Sequence, residues 1–266
     1  MPFEFSDTRS TGTNPESGVI LISKTRPDAA AAVADIPDGA TIMIGGFGRA
    51  GQPVELIDAL LAQGAQRLTI INNNAGNGTT GLAALLAAKR VHRIVCSFPR
   101  QSDSFVFDAL YRAGEIELDL VPQGNLAERI RAAGAGIGAF FTPTGVGTEV
   151  AIGKESRTID GRDYILEYPI RADFALISAL AGDRWGNLVY RKTSRNFGPI
   201  MATAATTTVA QVDSIVELGE LDPESVVTPG IYVDRVIAVG ERAWLHDGVF
   251  IGETAASAAL NPEQEA

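Results

Sequence analysis

The sequence predicts an α/β protein: an open, mostly parallel sheet with helices on both faces, continued into a β-rich second half of the same domain. Two patterns predict it. From Arg26 to Ala133, short apolar runs alternate with amphipathic segments long enough to be helices, as in βαβ units that cover a parallel sheet on both faces. Beyond Ala133 the chain turns glycine-rich and its apolar runs shorten, as in β structure joined by tight turns.

Residues 1–17 are polar and rich in Ser, Thr and Pro, and read as a flexible N-terminal tail. The folded domain is expected over 18–240, and the alanine- and acid-rich 241–266 as a peripheral C-terminal tail. Arg26–Ile36 reads as a helix ended by Pro37-Asp38-Gly39, and Thr41–Gly45 as a buried strand. Pro53–Gln63 follows as an amphipathic helix with proline at its first position, where a missing N–H costs nothing. Strands are then expected at Arg67–Asn72, His92–Ser97 and Ile116–Val121, and helices at Gly81–Lys89, Ser102–Ala113 and Asn125–Ala133. In the second half, Tyr164–Glu167, Phe174–Ala179 and Leu188–Tyr190 read as strands, with a hairpin turn around Trp185-Gly186-Asn187. Open α/β sheets bind ligands outside the carboxyl ends of their strands. Three predicted strands end there in small or amide-rich loops: Gly45–Gly48, Asn72–Gly76 and Pro122–Gly124.

Composition narrows the function. With 22 basic and 32 acidic residues the formal charge is −10, which gives no electrostatic footprint for nucleic acid or an anionic membrane surface. A small anionic ligand is still allowed, because a few local donors outweigh the net charge at one site. One cysteine, Cys96, permits no internal disulfide, and with only His92 and His246 beside it no Cys/His metal cluster is expected. No apolar run approaches the roughly 20 residues of a membrane span, and the N-terminus lacks the basic start and apolar stretch of a signal peptide. A cytoplasmic globular protein is expected, with no metal.

Gly46-Phe47-Gly48-Arg49-Ala50-Gly51 matches G-x-G-x-x-G between a strand and a helix, the pattern of a dinucleotide-binding turn. That turn also needs a carboxylate at the end of the next strand for the ribose hydroxyl. Here the strand ends in Asn72-Asn73-Asn74, amides only, so nicotinamide binding is not expected. The plainer role for the glycines is a tight strand-to-helix turn with close packing.

The longer stretch is more specific. Asp38-Gly39, the apolar triplet Ile42–Ile44, Gly45-Gly46-Phe47, Gly51 and Pro53, at their spacing, resemble the signature of class I coenzyme A transferase A subunits. The likeness continues through the blocks at Asn72–Gly78, Val121–Thr148 and Gly182–Val212, from about Gly18 to Val239. It implies the fold shared by CoA-transferases and sugar-phosphate isomerases. It also implies a ping-pong reaction in which an enzyme glutamate attacks an acyl-CoA, passes through a mixed anhydride and becomes a glutamyl-CoA thioester. Such acyl transfer needs a nucleophile and donors aimed at the developing oxyanion.

In that family the glutamate lies in a Ser-Glu-Asn-Gly type motif of the B half, and no such motif occurs in this chain. Glu55, Glu128 and Glu149 sit near the predicted rim loops; of these, Glu55 and Glu128 fall on amphipathic helices and read as solvated or capping carboxylates. The resemblance therefore implies half an enzyme, with the catalytic Glu on a separate B subunit, in an α2β2 assembly. Asn73 and Gln123 stand at the family positions that offer side-chain amides to the reacting carbonyl; an amide donates without changing charge. Gly45, Gly46, Phe47, Gly48, Gly51, Asn74 and Gly124 are expected to shape the acyl-CoA pocket. Coenzyme A thioesters would be substrates, with no permanently bound cofactor and a small carboxylic acid as acceptor. Arg100, Arg184 and Arg191 are of the type that grips a second carboxylate, although each reads first as a surface ion pair.

Asn74–Gly81 and the run from Cys96 to Gly136 are most similar to 3-oxoadipate:succinate CoA-transferases of aromatic-acid catabolism. The short Val146–Tyr164 segment ranks acetoacetate second as acceptor. A sugar-phosphate isomerase-like enzyme or a non-catalytic paralogue is the alternative from another class; an isomerase would need its own base and phosphate loop, and neither is evident.

Overall fold

The computed structural model describes residues 11–13, 20–101 and 103–240. The remainder of the segment 1–17 and all of 241–266 lie outside the described residues. Within the expected tail, β1 (Thr11–Thr13) pairs antiparallel with β2 (Ile20–Ile22).

The first half follows the predicted alternation. In order come α1 (Ala29–Val33), β3 (Thr41–Ile44), α2 (Val54–Gln63), β4 (Leu68–Ile71), α3 (Leu82–Ala87), β5 (Val91–Cys96), α4 (Phe105–Arg112), β6 (Glu117–Leu120) and α5 (Gln123–Gly134). Asp28 caps α1 by accepting from the Ala31 amide. Pro53 is the residue before α2, one position earlier than expected, and its carbonyl accepts the Ile57 amide.

The second half adds β7 (Phe140–Thr142), β8 (Ser156–Ile159) and β9 (Arg162–Glu167), then β10 (Ala172–Asp183) and β11 (Leu188–Val189). It closes with α6 (Gly198–Ala204), β12 (Ala205–Val216) and β13 (Arg235–Ala238). The main sheet runs β13-β12-β10-β3-β4-β5-β6, parallel throughout, with β11 turning back on β10 as the predicted hairpin. Strands β7, β9 and β8 form a separate antiparallel sheet.

Alternation along the strands builds two cores. Ile42, Ile44, Leu68, Ile70, Ile94 and Leu176 face the layer of α1 to α4, with Leu56, Leu60 and Leu85 packed on them. Met43, Ile71, Val95, Ala175 and Ile177 face α5 and α6, meeting Leu126, Ile130 and Met201. Successive strand residues point to opposite faces, so Ile42 and Met43 belong to different cores.

The two helices on the second face approach closely at Gly134. A Cβ there would lie 1.9 Å from Thr203 Oγ1 and 2.6 Å from its Cβ, whereas Thr203 is held by its own bond to Ile200 O. Gly134→Ala is expected to cost about 1–3 kcal/mol through overpacking, read as a lower denaturant midpoint at unchanged slope; an unchanged midpoint would show that the helices shift apart freely.

Strands β3 to β6 are laid down in one direction across the sheet, whereas β10 joins the far side of β3 and β12 and β13 continue away from it. Connections therefore leave β3 and β10 in opposite directions. That is the switch point beside which open α/β sheets leave a crevice at their carboxyl ends.

Candidate active site

At that rim the three asparagines after β4 tie four strand ends together. Asn72 Nδ2 donates to Ile44 O at the end of β3 (2.6 Å), and its Oδ1 accepts the Asn74 amide (2.8 Å). Asn74 Oδ1 accepts from the Gly48 amide of the glycine loop (2.8 Å), and Asn74 Nδ2 reaches Phe98 O beyond β5 (3.3 Å). Asn73 Oδ1 accepts from Ser97 Oγ (2.7 Å) and from Gln123 Nε2 (2.9 Å).

Thus the two amides singled out in the sequence lie in direct contact, although 50 residues apart. They differ in exposure. Asn73 is fully covered, at 0%, and its Nδ2 donates to Asn74 Oδ1 (3.0 Å). Gln123, the first residue of α5, is exposed at the rim. It spends one amide hydrogen on Asn73, and its second has no acceptor among the described residues.

The glycine loop is a packing device as well as a rim. Phe47 and Ala50 exchange backbone bonds (2.9 and 3.2 Å), closing a tight turn with Gly48 at φ 60°. Asn196, from the segment before α6, clamps the loop: its Oδ1 accepts the Gly46 amide (3.1 Å) and its Nδ2 donates to Ala50 O (2.9 Å). A Cβ on Gly51 would sit 2.3 Å from Ser194 O. Of the residues expected to shape the pocket, Gly45, Gly46, Gly51 and Asn74 are buried, Gly48 is half-buried, and Phe47 and Gly124 are exposed. A cavity of about 460 Å³ lies elsewhere, between β6 and the small sheet, lined by residues such as Pro122, Lys154 and Glu167.

Two of the three carboxylates expected near the rim are occupied, whereas Glu149 is exposed beside the cavity. Glu55 accepts from Gln211 Nε2, while Gln211 Oε1 takes the Leu56 amide (3.1 Å), so this fully buried glutamine holds the start of α2. Glu128 pairs with Arg131 at 2.9 Å. Arg100 forms an ion pair with Asp108 at 2.6 Å and lies over the Tyr111 ring. Burial pushes the Cys96 thiol up to about 12, far from a reactive thiolate.

A family model described as "Coenzyme A transferase" matches residues 26–239. The chain belongs to the coenzyme A transferase family. It is 69% identical over 223 residues to the A subunit of the 3-oxoadipate CoA-transferase of Pseudomonas putida, covering 84% of this chain and 96% of that one. It is 49% identical to the A subunit of a succinyl-CoA:3-ketoacid coenzyme A transferase of Xanthomonas campestris, covering 81% and 88%. Among solved structures it is similar in fold to an E. coli O157:H7 acyl-CoA transferase thioester complex with CoA, at TM-score 0.73 and 24% identity. That alignment covers 85% of this chain and 49% of the other, so this chain spans about half its length.

Three polar residues that sequence reasoning passed over brace the loops and helices around this rim: Asn196 holds the glycine loop, Gln211 the start of α2 and Glu167 the side chain of Asn125 in α5. Each is a polar side chain with at least one partner far along the chain. For Glu167 a signal exists: strand alternation puts it on the same face as buried Ile165.

Proposed function

We propose that this chain is the A subunit of a two-subunit CoA-transferase that moves CoA from succinyl-CoA to 3-oxoadipate. The similarity to the P. putida protein over nearly its whole length supports the substrate assignment. The single structural observation that carries the chemistry is the Gln123–Asn73 contact at the carboxyl rim of the sheet.

Gln123 presents its remaining N–H to the thioester carbonyl, where negative charge develops as a carboxylate attacks. Asn73 fixes that amide with its Oδ1, itself held by Ser97. In this arrangement the covered Asn73 orients the donor, a narrower role than the oxyanion donor that the family resemblance implies. The nucleophilic glutamate comes from a B subunit docked on the rim, in an α2β2 assembly. The enzyme acts in the cytoplasm and holds no permanent cofactor.

Acceptor choice is tested on the reconstituted pair, with succinyl-CoA as donor and 3-oxoadipate, acetoacetate and acetate compared. The expected outcome is the highest kcat/KM for 3-oxoadipate. Preference for acetoacetate would move the chain to the 3-ketoacid branch, represented by the Xanthomonas relative.

A further inference from the structure

We infer that Glu167 is a positioning residue for catalysis: through Asn125 it sets the first turn of α5, and with it the direction of the Gln123 amide. The inference rests on Gln123 being the oxyanion donor. That first turn has little of its own to fix it. Pro122 at the N-cap makes no side-chain cap bond, and Gly124 is among the weakest helix formers.

The turn is instead held through Asn125. This side chain is 1% exposed, and its Nδ2 donates to Glu167 Oε1 (2.9 Å) and to Thr144 O (3.2 Å). Both acceptors belong to the small-sheet region: Glu167 ends β9, and Thr144 follows β7. Glu167 is itself 2% exposed. It takes Lys154 Nζ on the same oxygen (2.7 Å), and Arg129 Nε stands 3.7 Å from the other. One turn beyond Asn125, Arg129 also donates Nε to Tyr168 O (2.8 Å), and its carbonyl accepts the Ile170 amide (3.0 Å). The segment at the end of β9 thus grips α5 at two successive turns.

Burying a carboxylate is costly unless cations and donors surround it. An apolar contact would join sheet to helix without that cost, but it would not fix the rotation of Asn125 about the helix. A charged acceptor with a defined direction does. Gln123 lies two residues from that anchor, and small displacements of a catalytic donor are expensive in rate.

The test is a double-mutant cycle on the reconstituted two-subunit enzyme. Glu167→Gln is expected to lower kcat by about tenfold or more with little change in KM. Asn125→Ala, which leaves the Lys154–Glu167 pair intact, is expected to do the same and serves if the buried charge change prevents folding. In a Gln123→Ala background either substitution is expected to lower kcat no further, because the group it positions is gone. Equal losses in both backgrounds, or an unchanged kcat in the wild-type background, would overturn the positioning role while leaving Gln123 as donor. An unchanged kcat for Gln123→Ala alone would remove the donor reading itself, and the inference with it.

Discussion

Replacing Gln123 with alanine is expected to lower kcat of the assembled enzyme by roughly a hundred- to a thousandfold, the loss of about 2.7–4 kcal/mol typical of one oxyanion donor. KM for succinyl-CoA should change little, because the missing hydrogen bond is strong only when the carbonyl oxygen carries charge. Assembly should survive, since Gln123 is exposed and its side chain contacts Asn73 at the rim. Steady-state kinetics and gel filtration of the reconstituted variant check both parts. A kcat within a factor of about two of wild type would take Gln123 out of the reaction. Asn73→Ala should behave differently. It removes a fully buried side chain whose Oδ1 serves Ser97 and Gln123, so stability should fall along with kcat.

The second large effect concerns the chain by itself. Without a B subunit it is expected to transfer no CoA above background. Among the described residues, the glutamates on the helices beside the asparagine rim are engaged: Glu55 is bound by Gln211 and Glu128 by Arg131. Acyl transfer through a covalent intermediate stops entirely when its nucleophile is missing, whereas loss of a donor only slows it. Activity is therefore expected to appear on mixing with the partner and to titrate to a fixed ratio. Full-rate transfer by the purified chain would place the nucleophile within this polypeptide.

The first half of the fold was legible because its strands and helices are punctuated. Turn residues separate apolar runs of two distinct periods, so β3 to β6 and α2 to α5 fall within a few residues of expectation. The long strand β12 was not legible. Its sequence, ATTTVAQVDSIV, carries a threonine run and then polar Gln211 and Asp213, which look exposed until β10 and β13 enclose the strand on both edges. The short helix α6 was missed for a related reason, since GPIMATA is too brief to show a period.

The site was legible in part. Asn73 and Gln123 stood out because they occupy positions where the resemblance to CoA-transferase A subunits implies side-chain amides, and the structure brings them into contact. That Asn73 would be covered could not be read from the chain alone, because its burial comes from neighbouring loops. Asn196 and Gln211 were invisible for the same reason: their partners lie about 150 residues away in the chain. Only Glu167 left a local trace, in the alternation of β9.

The division of labour between the two polypeptides is tested most directly by locating the covalent intermediate. The reconstituted enzyme is incubated with succinyl-CoA in the absence of acceptor, quenched in acid, and both intact chains are weighed by mass spectrometry. The expected result is a CoA adduct on a glutamate of the B subunit, with an unmodified mass for this chain. A CoA adduct on this chain would contradict the account.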